Sequence, residues 1–129
     1  MIVVDASALV SIGDDEPDKL DFIRCLQGAD TAHIAHLNYV EAGIILMSGS
    51  RLPDRTAYDR WLSALGVSLC PSDDLGPAAL DAYLRFGRRR HPAKLNLADC
   101  FAYALAMQLD APLLFKGDDF LLTDVKRAI

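Results

Sequence analysis

The feature that most constrains the fold is the apolar run IVV at residues 2–4, which ends abruptly in the carboxylate of Asp5. Apolar residues that do not alternate with polar ones predict a strand buried on both faces, as in a parallel sheet covered by helices. Asp5 then lies at the carboxyl end of this strand. Ligands bind at this edge of open α/β sheets, so the side chains that the rest of the chain brings there should decide the function.

The remaining sequence alternates between strand patterns and helical patterns. Further strands are predicted at residues 31–35, 67–70 and 112–115, with a last short strand around Val125. Helices are predicted at residues 6–12, 17–27, 38–48, 53–66, 77–90 and 96–109, and a loop at residues 71–76. This order predicts an α/β fold with a mostly parallel sheet and helices on both of its sides. With 129 residues, the chain should form a single domain over residues 1–129.

Composition excludes several classes of protein. The formal net charge of −5 argues against general, charge-driven coating of nucleic acid, although it allows a nuclease whose acids are concentrated in a metal site. No apolar run approaches the roughly 20 residues that span a bilayer, and the apolar start is too short for a signal peptide, so we expect a cytoplasmic protein without membrane contact. Cys25, Cys70 and Cys100 are odd in number and widely spaced, which favours reduced core thiols.

Acidic residues follow the predicted strands or begin the predicted helices. Each of them has a purely structural explanation. Glu41 and Asp99 are the third residues after Asn38 and Asn96, in the pattern of a capping box, which would stabilise a helix start by roughly 0.3–1 kcal/mol. Asp5 would cap the next helix, and a turn would explain the acids after the fourth strand.

A parallel sheet would nevertheless bring these acids to one edge. Like charges about 4 Å apart repel by roughly 4 kcal/mol at an effective dielectric of 20, and a divalent cation would remove that cost. All-oxygen ligation favours a hard ion, Mg²⁺ or, as a substitute, Mn²⁺. Such an ion acidifies a bound water and neutralises charge that develops on a phosphate, which suits phosphodiester hydrolysis. One or two ions would serve.

Four stretches of the sequence resemble the PIN-domain ribonucleases, and among them the VapC-type toxins of type II toxin–antitoxin pairs. They are VDASA at residues 4–8, NYVEA at residues 38–42, HPAKLNLADC with YALA at residues 91–106, and LLFKGDDF at residues 113–120. The resemblance implies a three-layer α/β/α sandwich, a Mg²⁺-dependent endoribonuclease and a homodimer. It also implies a VapB-type antitoxin that wraps the helices at residues 18–27 and 38–48 and directs a basic side chain toward the acids.

The resemblance also assigns site residues one by one. Asp5, Glu41 and Asp99 occupy the three acidic metal-site positions of the family. Many relatives place a fourth acid three residues before the phenylalanine, where Gly117 stands here, so we expect Asp119 to be the fourth acid, with Asp118 as a substitute. Ser7 matches a hydroxyl position near the metal, and it would equally suit the start of a helix.

A basic run precedes Asp99 and offers contacts for an RNA backbone. Its members are Arg85, Arg88, Arg89, Arg90 and Lys94. A solvated helix end whose dipole these cations complement explains the same residues.

Two other functions compete with the ribonuclease. Aspartyl phosphotransfer also uses an acid at a strand end together with Mg²⁺, as in response-regulator receivers and haloacid-dehalogenase-like phosphatases. The latter carry a second Asp two residues after the first, where Ser7 stands. A PIN-like domain that only binds RNA or a protein would lack one or more of the acids, whereas all three principal acids are present.

Overall fold

The strand that ends at Asp5 lies inside a four-stranded parallel sheet. The computed structural model describes residues 1–49, 51–71 and 74–129. The strands are β1 (Ile2–Val4), β2 (Ala32–Ile34), β3 (Val67–Leu69) and β4 (Leu113–Leu114), in the order β3-β2-β1-β4. All three strand pairs are parallel. The parallel sheet that the unalternated apolar run predicted is therefore confirmed.

Helices cover both faces of this sheet. They are α1 (Ala6–Gly13), α2 (Lys19–Gly28), α3 (His36–Ser48), α4 (Arg55–Ala64), α5 (Gly76–Phe86) and α6 (Leu97–Gln108). Ile2 and Val4 pack with α1 to α4 in one apolar core, and Val3 packs with α5 and α6 in the other. Successive strand residues point to opposite faces, so a strand with a core on each side needs an apolar residue at every position. The predicted α/β/α sandwich is confirmed.

The strand order reverses beside β1. The chain adds β2 and β3 on one side of β1 and returns to place β4 on its other side. Such a reversal opens a crevice beyond the carboxyl ends of the strands. Asp5 follows β1, and residues 115–120 follow β4, at this crevice. The last strand predicted around Val125 is reduced to one parallel bridge between Arg127 and Leu113.

Most helix boundaries lie within two residues of the predicted positions, and two of the differences change the environment of predicted site residues. α3 begins at His36, with Ala35 in the N-cap position, and the His36 Nε2 donates to the Cys70 carbonyl at 2.7 Å. Asn38 therefore lies inside the first turn, and its prediction as an N-cap residue was wrong. α5 ends at Phe86 because the chain turns sharply at Gly87, where a Cβ atom would lie 2.4 Å from the Tyr83 carbonyl oxygen. The basic residues after Gly87 thus belong to a loop and not to the predicted helix.

The loop predicted at residues 71–76 lies partly outside the described residues. Within the described ranges, no helix is long and apolar enough to cross a membrane.

Candidate active site

Four of the predicted acids line one cavity of about 310 Å³ at the carboxyl edge of the sheet, which we call the acid cavity. They are Asp5, Glu41, Asp99 and Asp119, and Ser7, Asn96, Glu16 and Lys116 also line it. Asp118 is not among its lining residues. The fold therefore brings together acids that lie as much as 114 positions apart in the sequence (119 − 5).

Hydrogen bonds fix the Asp5 carboxylate from two sides. Its Oδ2 accepts from the Ser7 amide at 3.1 Å and from the Ser7 hydroxyl at 2.6 Å, so Asp5 is the N-cap residue of α1. Its Oδ1 accepts from the Asn38 Nδ2 at 3.3 Å. The Ser7 hydroxyl in turn accepts from the Lys116 amide at 3.0 Å, which ties the turn after β1 to the loop after β4.

The Asp99 carboxylate belongs to a complete capping box at the start of α6. Its Oδ2 accepts from the Asn96 amide at 3.0 Å, and the Asn96 Oδ1 accepts from the Asp99 amide at 2.9 Å. The predicted capping box is confirmed here. Because the same carboxylate also lines the acid cavity, a cap and a functional acid are not alternatives at this position.

Glu41 does not cap α3. It is the sixth residue of a helix that starts at His36, one turn too late for a capping box with Asn38, so the capping interpretation of Glu41 was wrong. Its side chain is half-buried and lines the acid cavity. Among the described contacts, the carboxylates of Glu41 and Asp119 accept no hydrogen bond, in contrast to those of Asp5 and Asp99.

Burial and mutual repulsion disfavour the charged forms of these acids. The pKa of Asp99 is raised to about 7, chiefly by burial and also by the neighbouring charges of Asp5, Asp119 and Glu41, against the lowering effect of its hydrogen bond with the Asn96 amide. Burial also raises the pKa of Asp5, against the lowering effect of its hydrogen bonds with Ser7. The pKa of Glu41 is raised by burial and by the charge of Asp5. Several carboxylates thus share a partly desolvated space, where a cation would relieve the repulsion.

The donor set fits a hard divalent ion that keeps part of its water shell. In the described part of the chain, no group of three or more Asp, Glu, His or Cys side chains is arranged to hold a metal ion directly. Mg²⁺ commonly binds through one or two carboxylates and retains several waters. Asp5 and Asp99 are fixed by hydrogen bonds and suit direct ligation, and Glu41 and Asp119 are free to accept hydrogen bonds from the waters.

Comparison with known proteins gives the family. The profile of the PIN domain matches residues 2–126. The chain belongs to the PIN-domain family. A Ribonuclease VapC of Mycolicibacterium smegmatis is 43% identical over 129 residues, which cover 96% of this chain and 97% of that protein. Ribonuclease VapC30 of Mycobacterium tuberculosis is 37% identical over 125 residues, or 96% of this chain and 95% of that protein. The predicted resemblance to VapC-type PIN domains is confirmed.

A solved structure supports the architecture of this PIN domain. Mycobacterium tuberculosis VapC20, described as a sarcin-ricin loop cleaving toxin, superposes with a TM-score of 0.72 over 97% of this chain and 96% of that chain. The two sequences share 17% identity, so the likeness establishes the fold.

The predicted basic residues divide between two environments of the PIN domain. Arg88, Arg89, Arg90 and Lys94 line a second cavity of about 810 Å³, the basic cavity, together with His91, Pro92 and Asp119. Arg85 lies outside it. The Arg85 guanidinium stacks over the Phe86 ring at 4.5 Å and pairs with Asp124 at 3.4 Å. Asp119 is the residue that lines both the basic and the acid cavity.

Sequence reasoning missed two features of the site. Asn38 is fully buried and donates through Nδ2 to Asp5 and, at 3.0 Å, to the Ala98 carbonyl, so it joins β1, α3 and α6 behind the acids. Its own Oδ1 is buried without a hydrogen-bond partner. The pair of Lys116 with Glu16 at the rim of the acid cavity was also unforeseen. The buried position of Asn38 leaves no signal in a single sequence, because Asn at a helix start ordinarily indicates a cap.

Proposed function

We propose that this PIN domain is the toxin of a type II toxin–antitoxin pair and acts as a Mg²⁺-dependent endoribonuclease. The observation that carries the proposal is the convergence of Asp5, Glu41, Asp99 and Asp119 on one cavity of a chain in the VapC branch of the family. We assign these four acids to the metal site, with Ser7 supporting Asp5 and with Asp118 as the substitute fourth acid. Mn²⁺ should replace Mg²⁺, and the domain should comprise residues 1–129.

The chain supplies a fixed pair and an unpaired pair of carboxylates to the reaction. Asp5 and Asp99 are held by Ser7, Asn38 and the capping box, so they would hold a cation without moving. Glu41 and Asp119, which also line the acid cavity, orient water and accept protons. When bound, the cation acidifies water and neutralises charge on the phosphate that is cut. Preorganised charges of this kind require little reorganisation during the reaction.

A cleavage assay tests the activity. Purified protein should cut single-stranded or looped RNA in Mg²⁺ or Mn²⁺ and stop in EDTA, and the Asp99→Asn variant should be inactive in both. Equal cleavage in EDTA would contradict the metal mechanism. RNA binding without cleavage in any divalent ion would instead favour the non-catalytic PIN-like domain.

An antitoxin of the VapB type is the proposed protein partner. A groove of about 400 Å³ between α1, α2, α3 and α4 supports this proposal. Its apolar lining consists of Ile12, Ile23, Leu46, Leu52, Trp61 and Leu65. Asp15, Lys19 and Arg51 lie at its rim. An apolar groove with a charged rim suits an amphipathic helix. Expression of the neighbouring reading frame should restore growth and yield a complex that co-purifies. Absence of both effects would remove the toxin role and leave the nuclease proposal intact.

A homodimer in the cytoplasm completes the proposal. Val40, Ile44 and Leu97 are exposed by 49%, 60% and 67% and surround an apolar cavity of about 380 Å³ between α3 and α6, a surface that a second copy would cover. Buried Cys70 and Cys100 thiols are compatible with a reducing compartment. Sedimentation should give about twice the chain mass of 14.1 kDa, and Ile44→Lys should shift the protein to the monomer.

A further inference from the structure

The segment at residues 87–95, which we call the basic loop, is a closed and internally bonded turn. A parallel bridge joins Gly87 to Leu95 at its base, where the Arg88 amide donates to the Leu95 carbonyl at 3.1 Å. The amides of Arg90 and His91 both donate to the Gly87 carbonyl, at 3.0 and 3.1 Å. The loop therefore has a defined shape before any ligand arrives.

Two basic residues of this loop adopt unfavourable backbone angles. Arg89 has a φ of 74° and Lys94 a φ of 53°, in the left-handed region that side chains other than Gly and Asn rarely occupy. The surrounding hydrogen bonds hold them there, including the one from the Tyr83 hydroxyl to the Arg88 carbonyl at 3.0 Å. Strain that the surroundings enforce is most often found at binding and catalytic sites.

The loop presents four cations that pair with no acid among the described residues. In the portion of the chain that the structure describes, Arg88, Arg89, Arg90 and Lys94 form no ion pair, although the other end of the same helix–loop region pairs Arg85 with Asp124. All four side chains are exposed and line the basic cavity. Four like charges within seven residues repel one another, so an anion bound among them would be stabilising.

We propose that the basic loop is a preformed phosphate-binding subsite that holds the RNA backbone beside the phosphate that is cut. The inference rests on the proposed ribonuclease function and deepens it. Asp119 lines both cavities, so a strand lying across the acid cavity continues directly onto the basic loop. One phosphate of the strand would then lie at the acid cavity with its cation. A neighbouring phosphate of the same strand would lie among the arginines of the basic loop.

The donors of the loop suit phosphate oxygens. Arginine presents a planar fork that matches phosphate, and lysine contributes a point charge. The His91 Nδ1 accepts from the Ala93 amide at 3.0 Å, so its Nε2 is the ring nitrogen that can donate to a ligand in the same cavity. Arg90 also has a structural contact, because its Nε donates a hydrogen bond to the Leu84 carbonyl at the end of α5. Arg88, Arg89 and Lys94 are therefore the residues to test.

RNA is favoured over an acidic protein segment as the occupant. The cavity continues into the acid cavity, and carboxylates of a protein ligand that followed the same path would meet Asp5 and Asp99. A phosphodiester strand is the substrate that the acid cavity is proposed to cut, so a single RNA chain would occupy both cavities. The protein has a net charge of −5, so attraction to RNA must come from a local surface such as this one.

The test measures RNA binding without catalysis. A fluorescent single-stranded RNA is titrated in EDTA at several salt concentrations with the wild type and with the triple variant Arg88→Gln/Arg89→Gln/Lys94→Gln. The variant should bind at least about tenfold more weakly at low salt. Loss of three phosphate contacts should lower the slope of log K against log salt by about 2. Thermal melts should match the wild type, because these side chains are exposed.

A matched triple variant controls for net charge. Arg24→Gln/Arg55→Gln/Arg60→Gln removes the same charge from exposed positions on α2 and α4, on the opposite side of the sheet. It should bind RNA within about twofold of the wild type. Arg88→Lys/Arg89→Lys keeps the charge and should keep the salt slope. Equal weakening by the two glutamine triples, or an unchanged salt slope in the loop variant, would overturn the proposal.

Two further measurements separate this inference from the proposed function. In Mg²⁺ the loop variant should raise KM and leave kcat within about threefold, because its residues bind beside the reacting phosphate; an unchanged KM would overturn the subsite and leave the nuclease standing. A wild type that binds RNA through the loop in EDTA but cuts nothing in Mg²⁺ would overturn the nuclease and leave the subsite standing. A polyglutamate peptide that displaces RNA from the wild type at equal charge concentration would assign the loop to a protein partner and overturn the proposal.

Discussion

The starts of α3 and α6 carry the same sequence pattern and have different structures. Each has Asn followed three residues later by an acid, Asn38 with Glu41 and Asn96 with Asp99. At α6 the pattern forms a capping box. At α3 the helix begins at His36, two residues before Asn38, and the amide of Asn38 turns inward to the Asp5 carboxylate. The Glu41 carboxylate accepts no hydrogen bond from the described residues.

The difference shows that a capping pattern does not by itself place a helix start. β2 ends at Ile34, and Ala35, which has extended backbone, already occupies the N-cap position of α3. Asn38 therefore lies within the helix and cannot be its cap. Before α6 the chain arrives from the basic loop, and Asn96 has extended backbone at the point of entry. Both acids nevertheless reach the acid cavity, one through a cap and one beside a buried amide.

The largest expected effect tests whether the two acids share a function despite their different structures. Glu41→Gln and Asp99→Asn should each lower Mg²⁺-dependent RNA cleavage by at least about 100-fold. Each variant removes a carboxylate that is proposed to hold the metal ion or its waters. The metal-free stability should stay the same or rise, because repulsion decreases. Cleavage assays and urea melts in EDTA measure both. Near-wild-type cleavage by either variant would remove that acid from the site.

The second test compares the two asparagines. Asn38→Ala should lower the free energy of unfolding by about 2–4 kcal/mol, because it leaves the buried Ala98 carbonyl and one oxygen of Asp5 without a donor and opens a cavity. Urea unfolding in EDTA at constant pH is the measurement. A loss below about 1 kcal/mol, equal to that of a surface cap, would show that Asn38 does not support Asp5 in this way.

The third test uses pH. The folded-state pKa of Asp99 is raised to about 7 from an ordinary value of 3.8, so the folded protein binds the proton more tightly than the unfolded chain in that window. The stability of the metal-free protein should therefore fall as pH rises from about 4 to 7, and the full penalty should remain above pH 7. For one group the slope is at most about 1.4 kcal/mol per pH unit.

Variants assign this pH dependence. Asp99→Asn should reduce the slope, and Glu41→Gln should reduce it less, because Glu41 is less buried. Asp5, whose pKa burial also raises, accounts for the slope that remains. A slope of the wild-type size in Asp99→Asn would mean that other groups cause it. The ion pairs of Asp15 lower its pKa to about 2, so Asp15 affects stability only below about pH 5, and the slope is therefore read between pH 5 and 7.

The smallest expected effect is that of the cap at α6. Asn96→Ala should cost about 1 kcal/mol of stability, the usual value for an N-cap residue, while Asn96→Ser should cost less because the hydroxyl oxygen also accepts from the Asp99 amide and adds no charge to the acid cavity. Chemical denaturation of both variants measures the difference. If Asn96→Ala cost as much stability as Asn38→Ala, the inference that the buried Asn38 contributes more than the exposed N-cap residue Asn96 would be wrong.

Much of the site could be predicted because the sequence carries it locally. Asp5 directly ends a buried strand, and Asp99 sits in a capping pattern that also aims it at the sheet edge. The choice of Asp119 over Asp118 as the acid that lines the cavity agrees with the structure, although its role in metal binding stays a prediction. Gly117 adopts a φ of 95°, which an acid at that place would adopt only with strain.

The layer order and the positions of the principal acids could be read from local sequence patterns. An apolar run without alternation needs a core on both faces, and alternating strands and helices need a parallel sheet, so the carboxyl ends of the strands had to share an edge. These conclusions rest on local periodicity, which a single chain displays in full.

Long-range contacts determine where α3 begins, which groups Asn38 bonds, and that the basic residues form a loop beside Asp119. Each depends on a contact between distant segments: the His36 ring with the Cys70 carbonyl, Asn38 with Asp5, and Gly87 packed against Tyr83 with its bridge to Leu95. Local sequence sets the propensity of a segment to start or end a helix within about 1 kcal/mol, and a single buried hydrogen bond or close backbone contact is worth as much or more.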